Sequence, residues 1–232
     1  MERQAVKLSK PEAMIFDMDG TLFKTETLLV PVFHKVFDQL RKEGLYTGDT
    51  PPEELILSCL GMLLPDIWRR VIPDHDEQVH RRADDLLLEF ELEGLQQLAT
   101  ELYPQVAETL RELSARGVRL FVASNGLEHY VKGVAKAHGI ASLFEGLYSA
   151  GEFQTATKVD LVKLLLDQHG ITRAWMVGDR SSDVEAGKRN GLVAIGCAYA
   201  GFGDDRELAG SDVRIHTFDE LISLYEQAEE VK

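Results

Sequence analysis

Three short apolar runs in this chain are each followed at once by polar residues, and this feature constrains the fold more than any other. The runs and the residues that follow them are 13–16 with Asp17, 119–123 with Ser124, and 174–177 with Gly178-Asp179. Apolar runs of this length, bounded by turn residues, are typical of buried strands. The sequence therefore predicts three buried strands whose ends carry chemically useful side chains.

The segments around these runs predict an α/β fold. A further strand is predicted at 193–197 and a weaker one at 147–149, while helical patterns cover 106–116, 159–169 and 183–190. Strands that alternate with helices form parallel βαβ units, so we expect a doubly wound, Rossmann-like parallel sheet. Ligands of such sheets lie beyond the carboxyl ends of the strands, which is where the polar residues would converge.

Residues 25–99 interrupt this alternation and contain no clear strand. Helical patterns appear there at 28–40, from Pro51-Pro52 through Leu60, and at 77–98. We expect an α-helical cap domain at 25–99, inserted into a catalytic core made of residues 1–24 and 100–232. The alternative is a helical layer packed on one face of the sheet.

Composition excludes several classes of partner. The chain has 25 Lys and Arg against 39 Asp and Glu, a net charge of −14, which argues against binding to nucleic acid or to an anionic membrane. No stretch approaches the roughly 18 apolar residues of a membrane helix, and the charged first residues lack a signal-peptide pattern, so a cytoplasmic protein is expected. Cys59 and Cys197 are interpreted as reduced, buried thiols. An anionic substrate would need a local cation here.

Asp17 and Asp19, separated by one residue and followed by Gly20, form the first motif with chemical potential. One carboxylate could attack phosphorus and form an acyl phosphate. The other could protonate the leaving alcohol and then deprotonate water. The alternative is an acidic pair that ends a strand and caps the following turn.

The second motif, residues 178–183, places Asp179 at a strand end and Asp183 one helical turn later. Mg²⁺ prefers such oxygen ligands and would offset the repulsion between carboxylates and a phosphate. The alternative is that Ser181 or Ser182 caps the following helix, with Asp183 in its first turn.

Two further features could hold a phosphate. Ser124-Asn125-Gly126 offers a hydroxyl and successive backbone N–H groups, although the same residues also make an ordinary turn. Lys158 opens a helix, where a cation opposes the helix dipole, although a single lysine is usually solvated.

Together these motifs resemble the haloacid dehalogenase-like hydrolase superfamily. The first motif of that superfamily, DxDGT, is similar to Asp17 to Thr21, and its last motif, GDxxxD, is similar to Gly178 to Asp183. Between them the superfamily has a Ser or Thr at a strand end and then a Lys, which are similar to Ser124 and Lys158. The resemblance spans essentially the whole chain, and a helical insert after the first motif is similar to the phosphoglycolate phosphatase and β-phosphoglucomutase group.

The resemblance implies a role for each motif residue. Asp17 would be the nucleophile and Asp19 the general acid and base. Asp17, Asp179 and the backbone carbonyl of Asp19 would bind Mg²⁺. Ser124, Asn125 and Lys158 would bind the phosphate. Asp183 would support the metal site without binding the ion directly. The implied activity is hydrolysis of a small phosphorylated metabolite, such as a sugar phosphate or a phosphoglycolate-like ester, through an aspartyl phosphate. Asp19 and Asp179 favour phosphoryl transfer over carbon–halogen chemistry.

Several points stay open at this level. Lys24 stands where many capped relatives carry an acid, and Arg69 lies beside Trp68 in the insert, so both basic residues are possible substrate contacts. The alternative for Lys24 is a solvated residue at the hinge into the cap. The alternative for the segment that contains Arg69 is a helix corner in which Trp68 packs in the cap core. Other interpretations of the whole chain are a phosphotransferase or mutase, an inorganic pyrophosphatase, or a non-catalytic binding protein. The protein could be a monomer or a homodimer.

Overall fold

A parallel sheet lies at the centre of the protein in this computed structural model, which describes residues 8–60, 62, 64–97, 100–201 and 206–230. Within those residues the sheet has six strands, all paired in parallel. They are β1 (Ala13–Phe16), β2 (Arg119–Ser124), β3 (Gly146–Ser149), β4 (Ala174–Gly178), β5 (Val193–Cys197) and β6 (Val213–Ile215). The predicted α/β class is confirmed.

Helices surround the sheet and fill the segment between its first two strands. Those between β1 and β2 are α1 (Glu26–Lys42), α2 (Glu53–Leu57), α3 (Leu64–Val71), α4 (Glu77–Gln97) and α5 (Val106–Ala115). Those that follow are α6 (Glu128–Ala137), α7 (Ala150–Phe153), α8 (Lys158–His169), α9 (Ser181–Arg189) and α10 (Glu220–Gln227). Over the part of the chain described, none of the helices is both long and apolar enough to cross a membrane.

The strand order β3-β2-β1-β4-β5-β6 places β1 in the middle of the sheet. Along β1, Met14 and Phe16 belong to one buried cluster and Ala13 and Ile15 to another, because successive side chains of a strand point to opposite faces. Both faces of the sheet are therefore covered, as expected for a doubly wound fold. The chain turns in opposite directions on either side of β1 and β4, which opens a crevice at their carboxyl ends.

Helices α1 to α4, here called the helical insertion, pack on one another. Helix α1 contacts α4, and Trp68 of α3 is fully buried with its ring centroid 6.3 Å from that of Phe37. Trp68 therefore packs in the core of these helices, which was one of the two interpretations of this segment. Helix α4 also contacts α6, and Leu57 of α2 accepts a hydrogen bond from Arg180 Nη2 at 3.5 Å. The insertion therefore touches the sheet domain at the edge where β1 and β4 end.

Some elements differ from the sequence prediction for local reasons. Helix α2 ends at Leu57 instead of Leu60, because the following backbone N–H groups bond three residues back, as in Cys59 to Ile56 at 3.0 Å. Strand β6 was not predicted, since it has only three residues and Arg214 within it is exposed. Cys59 and Cys197 are buried free thiols, as predicted.

Candidate active site

The carboxyl ends of β1, β2 and β4 bring the predicted motif residues to one edge of the sheet. Phe16 is in register with Val122 of β2 and with Val177 of β4. The residues just beyond these positions therefore meet. The motif side chains gathered and buried at this edge are Asp17, Ser124, Lys158, Asp179 and Asp183.

Lys158 links two of these carboxylates. Its Nζ lies 2.8 Å from Asp17 Oδ1 and 2.6 Å from Asp183 Oδ1, and its side chain is 1% exposed. Thr157 caps helix α8, which begins at Lys158, by accepting the backbone N–H of Asp160 at 3.1 Å. Burial alone would lower the pKa of Lys158, but the charges of Asp17 and Asp183 outweigh burial and raise it. Lys158 is therefore a buried cation and not a solvated surface lysine.

Three carboxylates at this edge fit a divalent cation. Oxygen atoms of Asp17, Asp179 and Asp183 all lie within 4.8 Å of one another. Burial raises the pKa of Asp17 to about 7, although the charge of Lys158 opposes the shift. Burial, and then the charges of Asp183 and Asp17, raise the pKa of Asp179 well above its usual range. Such a cluster carries more negative charge than Lys158 balances, and hard oxygen donors are the ligands Mg²⁺ prefers.

Asp183 uses both of its oxygens within the protein. Oδ1 accepts from Lys158, and Oδ2 accepts the backbone N–H of Arg180 at 2.9 Å, which satisfies the start of α9. Capping by serine, the alternative considered for this motif, is not what the structure shows: Ser182 Oγ has no hydrogen-bond partner among the described residues. Asp183 therefore fixes Lys158 and the loop after β4. Asp179 Oδ1 accepts a hydrogen bond from Thr21 Oγ1 at 3.2 Å, and its Oδ2 lies 3.6 Å from Arg180 Nε.

Two glycines allow the carboxylates to approach the backbone closely. A Cβ on Gly20, whose φ is +73°, would lie 2.4 Å from Asp179 Oδ2. A Cβ on Gly178 would lie 2.2 Å from the Asp183 carboxyl group. Gly20 is therefore required because the Asp179 carboxylate occupies the space that a side chain would need. Gly178 is required for the same reason, because the Asp183 carboxyl group lies against it.

Asp19 is held by two hydroxyl groups. Thr25 Oγ1 donates to Asp19 Oδ1 at 2.7 Å, and the Tyr130 hydroxyl donates to the same oxygen. Burial raises the pKa of Asp19, and these two hydrogen bonds oppose the shift because they favour the ionised form. Neither hydroxyl was predicted from the sequence. Tyr130 lies 111 residues from Asp19, and no local pattern indicates such a contact.

A cavity opens above Asp17 and Asp19, between the sheet edge and the helical insertion. It measures about 800 Å³ including its open mouth. Its floor includes Ser124, Asn125 and Gly126, and Ser124 Oγ accepts the backbone N–H of Gly126 at 3.1 Å. Helix α4 contributes two acidic residues to the wall, Asp84 and Glu91, and neither was predicted from the sequence.

Two basic residues suggested as substrate contacts lie elsewhere. Lys24 Nζ pairs with Glu101 at 2.7 Å beside the hinge, and Arg69 pairs with Glu77 at 3.1 Å and Asp66 at 3.3 Å on the exposed surface of α3. Neither is among the residues that line the cavity. Both cations pair with acidic neighbours of the protein itself, so the cavity lining does not support a substrate contact for Lys24 or Arg69, which stays a prediction.

Comparisons with known proteins agree with this geometry. Residues 14–197 match the family model for haloacid dehalogenase-like hydrolases, so the chain belongs to this family. A phosphoglycolate phosphatase from Vibrio vulnificus is 28% identical over 222 residues, which cover 91% of this chain and 92% of that protein. A pyrophosphatase, PpaX, from Listeria monocytogenes is 25% identical over 202 residues, which cover 82% of this chain and 85% of that protein.

Solved structures show the same fold. The crystal structure of CbbY from Rhodobacter sphaeroides in complex with phosphate aligns with a TM-score of 0.79 at 22% identity, over 93% of this chain and 99% of that chain. The family match and the named relatives identify the chain as a phosphatase, a phosphoric monoester hydrolase. The predicted resemblance is confirmed.

Proposed function

We propose that the protein hydrolyses a small phosphate monoester, with Mg²⁺, through a covalent phosphoryl intermediate on Asp17. One observation carries the proposal: Asp17 is 2% exposed, pairs with Lys158, and faces the same cavity as Asp19. A nucleophilic carboxylate, a cation for the phosphoryl oxygens and an acid for the leaving group thus meet at one place.

In the proposed first step, an Asp17 carboxylate oxygen attacks phosphorus and the bond from phosphorus to the ester oxygen breaks. Asp19, in its protonated form, gives its proton to the departing alkoxide. Its raised pKa suits it to this role, because a carboxylic acid must still hold a proton near neutral pH to donate one. Lys158 and the backbone N–H groups after Ser124 stabilise the negative charge of the phosphoryl oxygens.

In the proposed second step, the ionised Asp19 takes a proton from water as the water attacks phosphorus. The bond between phosphorus and Asp17 breaks, which releases inorganic phosphate and restores both carboxyl groups. Asp19 therefore alternates between acid and base, and its hydrogen bonds from Thr25 and Tyr130 keep one oxygen fixed through both steps.

We propose that Asp17, Asp179 and the backbone carbonyl of Asp19 hold Mg²⁺. When bound, the ion supplies positive charge that offsets the repulsion between Asp17 and the phosphate. Asp183 supports the site by holding Lys158 and the loop after β4. The helical insertion, which forms most of the cap domain predicted at residues 25–99, is proposed to cover the reacting phosphate and exclude water.

Phosphate release tests the proposal. A panel of sugar phosphates, phosphoglycolate, nucleotides and pyrophosphate is assayed with and without Mg²⁺, for the wild type, Asp17→Asn and the exposed control Asp167→Asn. We expect release that needs Mg²⁺, survives Asp167→Asn and is lost in Asp17→Asn. Acid-quenched samples should carry one phosphoryl group on the peptide that contains Asp17. Full activity after chelation, or in Asp17→Asn, would contradict the mechanism.

The same panel examines a second candidate function, hydrolysis of pyrophosphate, which the name of the Listeria relative supports. Release from pyrophosphate at a higher kcat/KM than from every monoester would favour it. Conversion of a hexose 1-phosphate into an isomer, instead of free phosphate, would indicate a mutase.

A further inference from the structure

One face of helix α4 forms the wall of the cavity above the reacting residues. Asp84, Leu87, Leu88 and Glu91 all line the cavity. These positions are i, i+3, i+4 and i+7, which lie on the same side of an α-helix. The wall therefore has a carboxyl group at each end and leucine side chains between them.

Among the described residues that line the rest of the cavity, none is basic. Positive charges that act on this lining include those of Arg70 and Arg180, which reach Cys59. Lys158 lies beneath the cavity, engaged with Asp17 and Asp183, and Arg180 lies 3.6 Å from Asp179. Arg70 is exposed and is not part of the lining. The part of the substrate that leaves with the ester oxygen would thus meet apolar side chains and carboxyl groups.

The two carboxyl groups differ in their surroundings. Asp84 accepts a hydrogen bond from Trp68 Nε1, whereas Glu91 forms no hydrogen bond or ion pair with any described residue. Burial and then the charge of Asp19 raise the pKa of Glu91 to about 8. Glu91 is therefore a partly buried carboxyl group whose partner is not supplied by the described part of the protein, and it lies close enough to Asp19 to sense its charge.

We propose that Glu91 selects phosphate monoesters whose leaving alcohol carries a hydrogen-bond donor and no negative charge, a hydroxyl or an ammonium group. This inference rests on the proposed function. A carboxylate or second phosphate on the leaving group would enter a partly buried site in which none of the described lining residues is basic, which is unfavourable. A hydroxyl or ammonium group would instead stabilise the ionised form of Glu91. Under this inference phosphoglycolate and pyrophosphate, the substrates in the names of the Vibrio and Listeria relatives, would be poorer substrates than such esters, so the inference opposes pyrophosphate hydrolysis as the second candidate function.

Three two-carbon esters test the inference because they differ in one group: 2-hydroxyethyl phosphate, 2-aminoethyl phosphate and phosphoglycolate. We expect wild-type kcat/KM for the first two to exceed that for phosphoglycolate by at least about tenfold. Glu91→Gln should lower the preference for the amine, and Glu91→Lys should raise kcat/KM for phosphoglycolate. Glu89→Gln, on the exposed side of the same helix, should leave the ratios unchanged.

The outcomes separate the two proposals. If p-nitrophenyl phosphate and all three esters release no phosphate, the proposed phosphatase function fails and the inference with it. If they are hydrolysed but phosphoglycolate is the best of the three, only the inference is overturned. Ratios in Glu91→Gln that match those in Glu89→Gln would also overturn it. The wild-type comparison stands even if a Glu91 variant does not fold.

Discussion

The hydroxyl of Tyr130, on helix α6, donates a hydrogen bond to Oδ1 of Asp19, in the loop after β1. Thr25 Oγ1 donates to the same oxygen at 2.7 Å. Asp19 is thereby tied both to the sheet domain and to the start of the helical insertion. The proposed role of Asp19 as a proton donor can therefore be tested by changing the residues that hold it.

Tyr130→Phe should lower kcat by about 10- to 150-fold, since a hydrogen bond to a charged group contributes about 1.5–3 kcal/mol. The lost hydrogen bond favoured the ionised carboxylate, so its removal should raise the pKa of Asp19 further. The alkaline limb of the pH profile for kcat should then move to higher pH. Steady-state kinetics across pH measure both effects.

Tyr148→Phe is the matched control, because the Tyr148 hydroxyl bonds Gln168 and His169 on the far side of the sheet. It should leave the profile in place. A Tyr130→Phe profile that overlays that of Tyr148→Phe would refute the positioning role.

Lys158→Met should destabilise the protein by about 3–5 kcal/mol, since it leaves Asp17 and Asp183 buried without their cation. It should also lower kcat by at least about 10²-fold through loss of charge stabilisation. Urea unfolding and phosphate release measure these effects. Lys163→Met, which removes an exposed lysine of the same helix, should change stability by less than about 0.5 kcal/mol. Equal stability of the two variants would argue against a buried ion pair.

The metal-free protein should lose stability as pH rises. The pKa of Asp17 is about 7 when folded and 3.8 ordinarily, so between these values the folded state binds more protons than the unfolded state. Stability then falls as pH increases through this window, and Asp179 acts in the same direction. The free energy of unfolding in EDTA should drop by on the order of 2 kcal/mol between pH 5 and pH 8.

Two measurements check this pH dependence. Saturating Mg²⁺ should restore stability at pH 8, and Asp179→Asn should reduce the drop in EDTA. Asp167→Asn, at an exposed carboxylate, should not alter it. A metal-free protein as stable at pH 8 as at pH 5 would contradict the idea that the carboxylates need a cation.

Gly20→Ala should impair the proposed Mg²⁺ site, because its Cβ would lie 2.4 Å from Asp179 Oδ2 and displace that carboxylate. We expect phosphate release to need at least about tenfold more Mg²⁺. Gly44→Ala is the matched control: its φ is +72°, close to the +73° of Gly20, but nothing lies within 4 Å of its Cβ. It should lose only the roughly 1–2 kcal/mol of a left-handed backbone. Equal Mg²⁺ requirements in the two variants would refute the steric argument.

Much of the fold could be predicted because its signals are local. Apolar runs such as 13–16 and 174–177 indicate buried strands, and their alternation with helices implies a parallel sheet. Parallel strands share one carboxyl edge, so the sequence alone predicts that Asp17 and Asp179 meet. Strand β6 was not predicted because it has only three residues, one of them the exposed Arg214, and so lacks an apolar run long enough to indicate a buried strand.

The predictions for lysine and arginine show where local signals stop. Lys158 looked like a solvated residue when considered alone, yet it is buried between two carboxylates. Lys24 and Arg69 looked available to a substrate, yet Glu101, Glu77 and Asp66 neutralise them. A cation's role depends on which acids surround it in space, and those acids can lie anywhere along the chain.

The amino-acid sequence by itself determined the strand ends, the order of the motifs and the carboxylates that meet at the sheet edge. Only the tertiary structure decided that Tyr130 holds Asp19 and that Glu91 lines the same cavity as Asp17 and Asp19. The physical reason is the range of the interactions. Strand and helix patterns repeat within a few residues, whereas the contacts of Tyr130 and Glu91 depend on how helices α6 and α4 pack across the sheet edge.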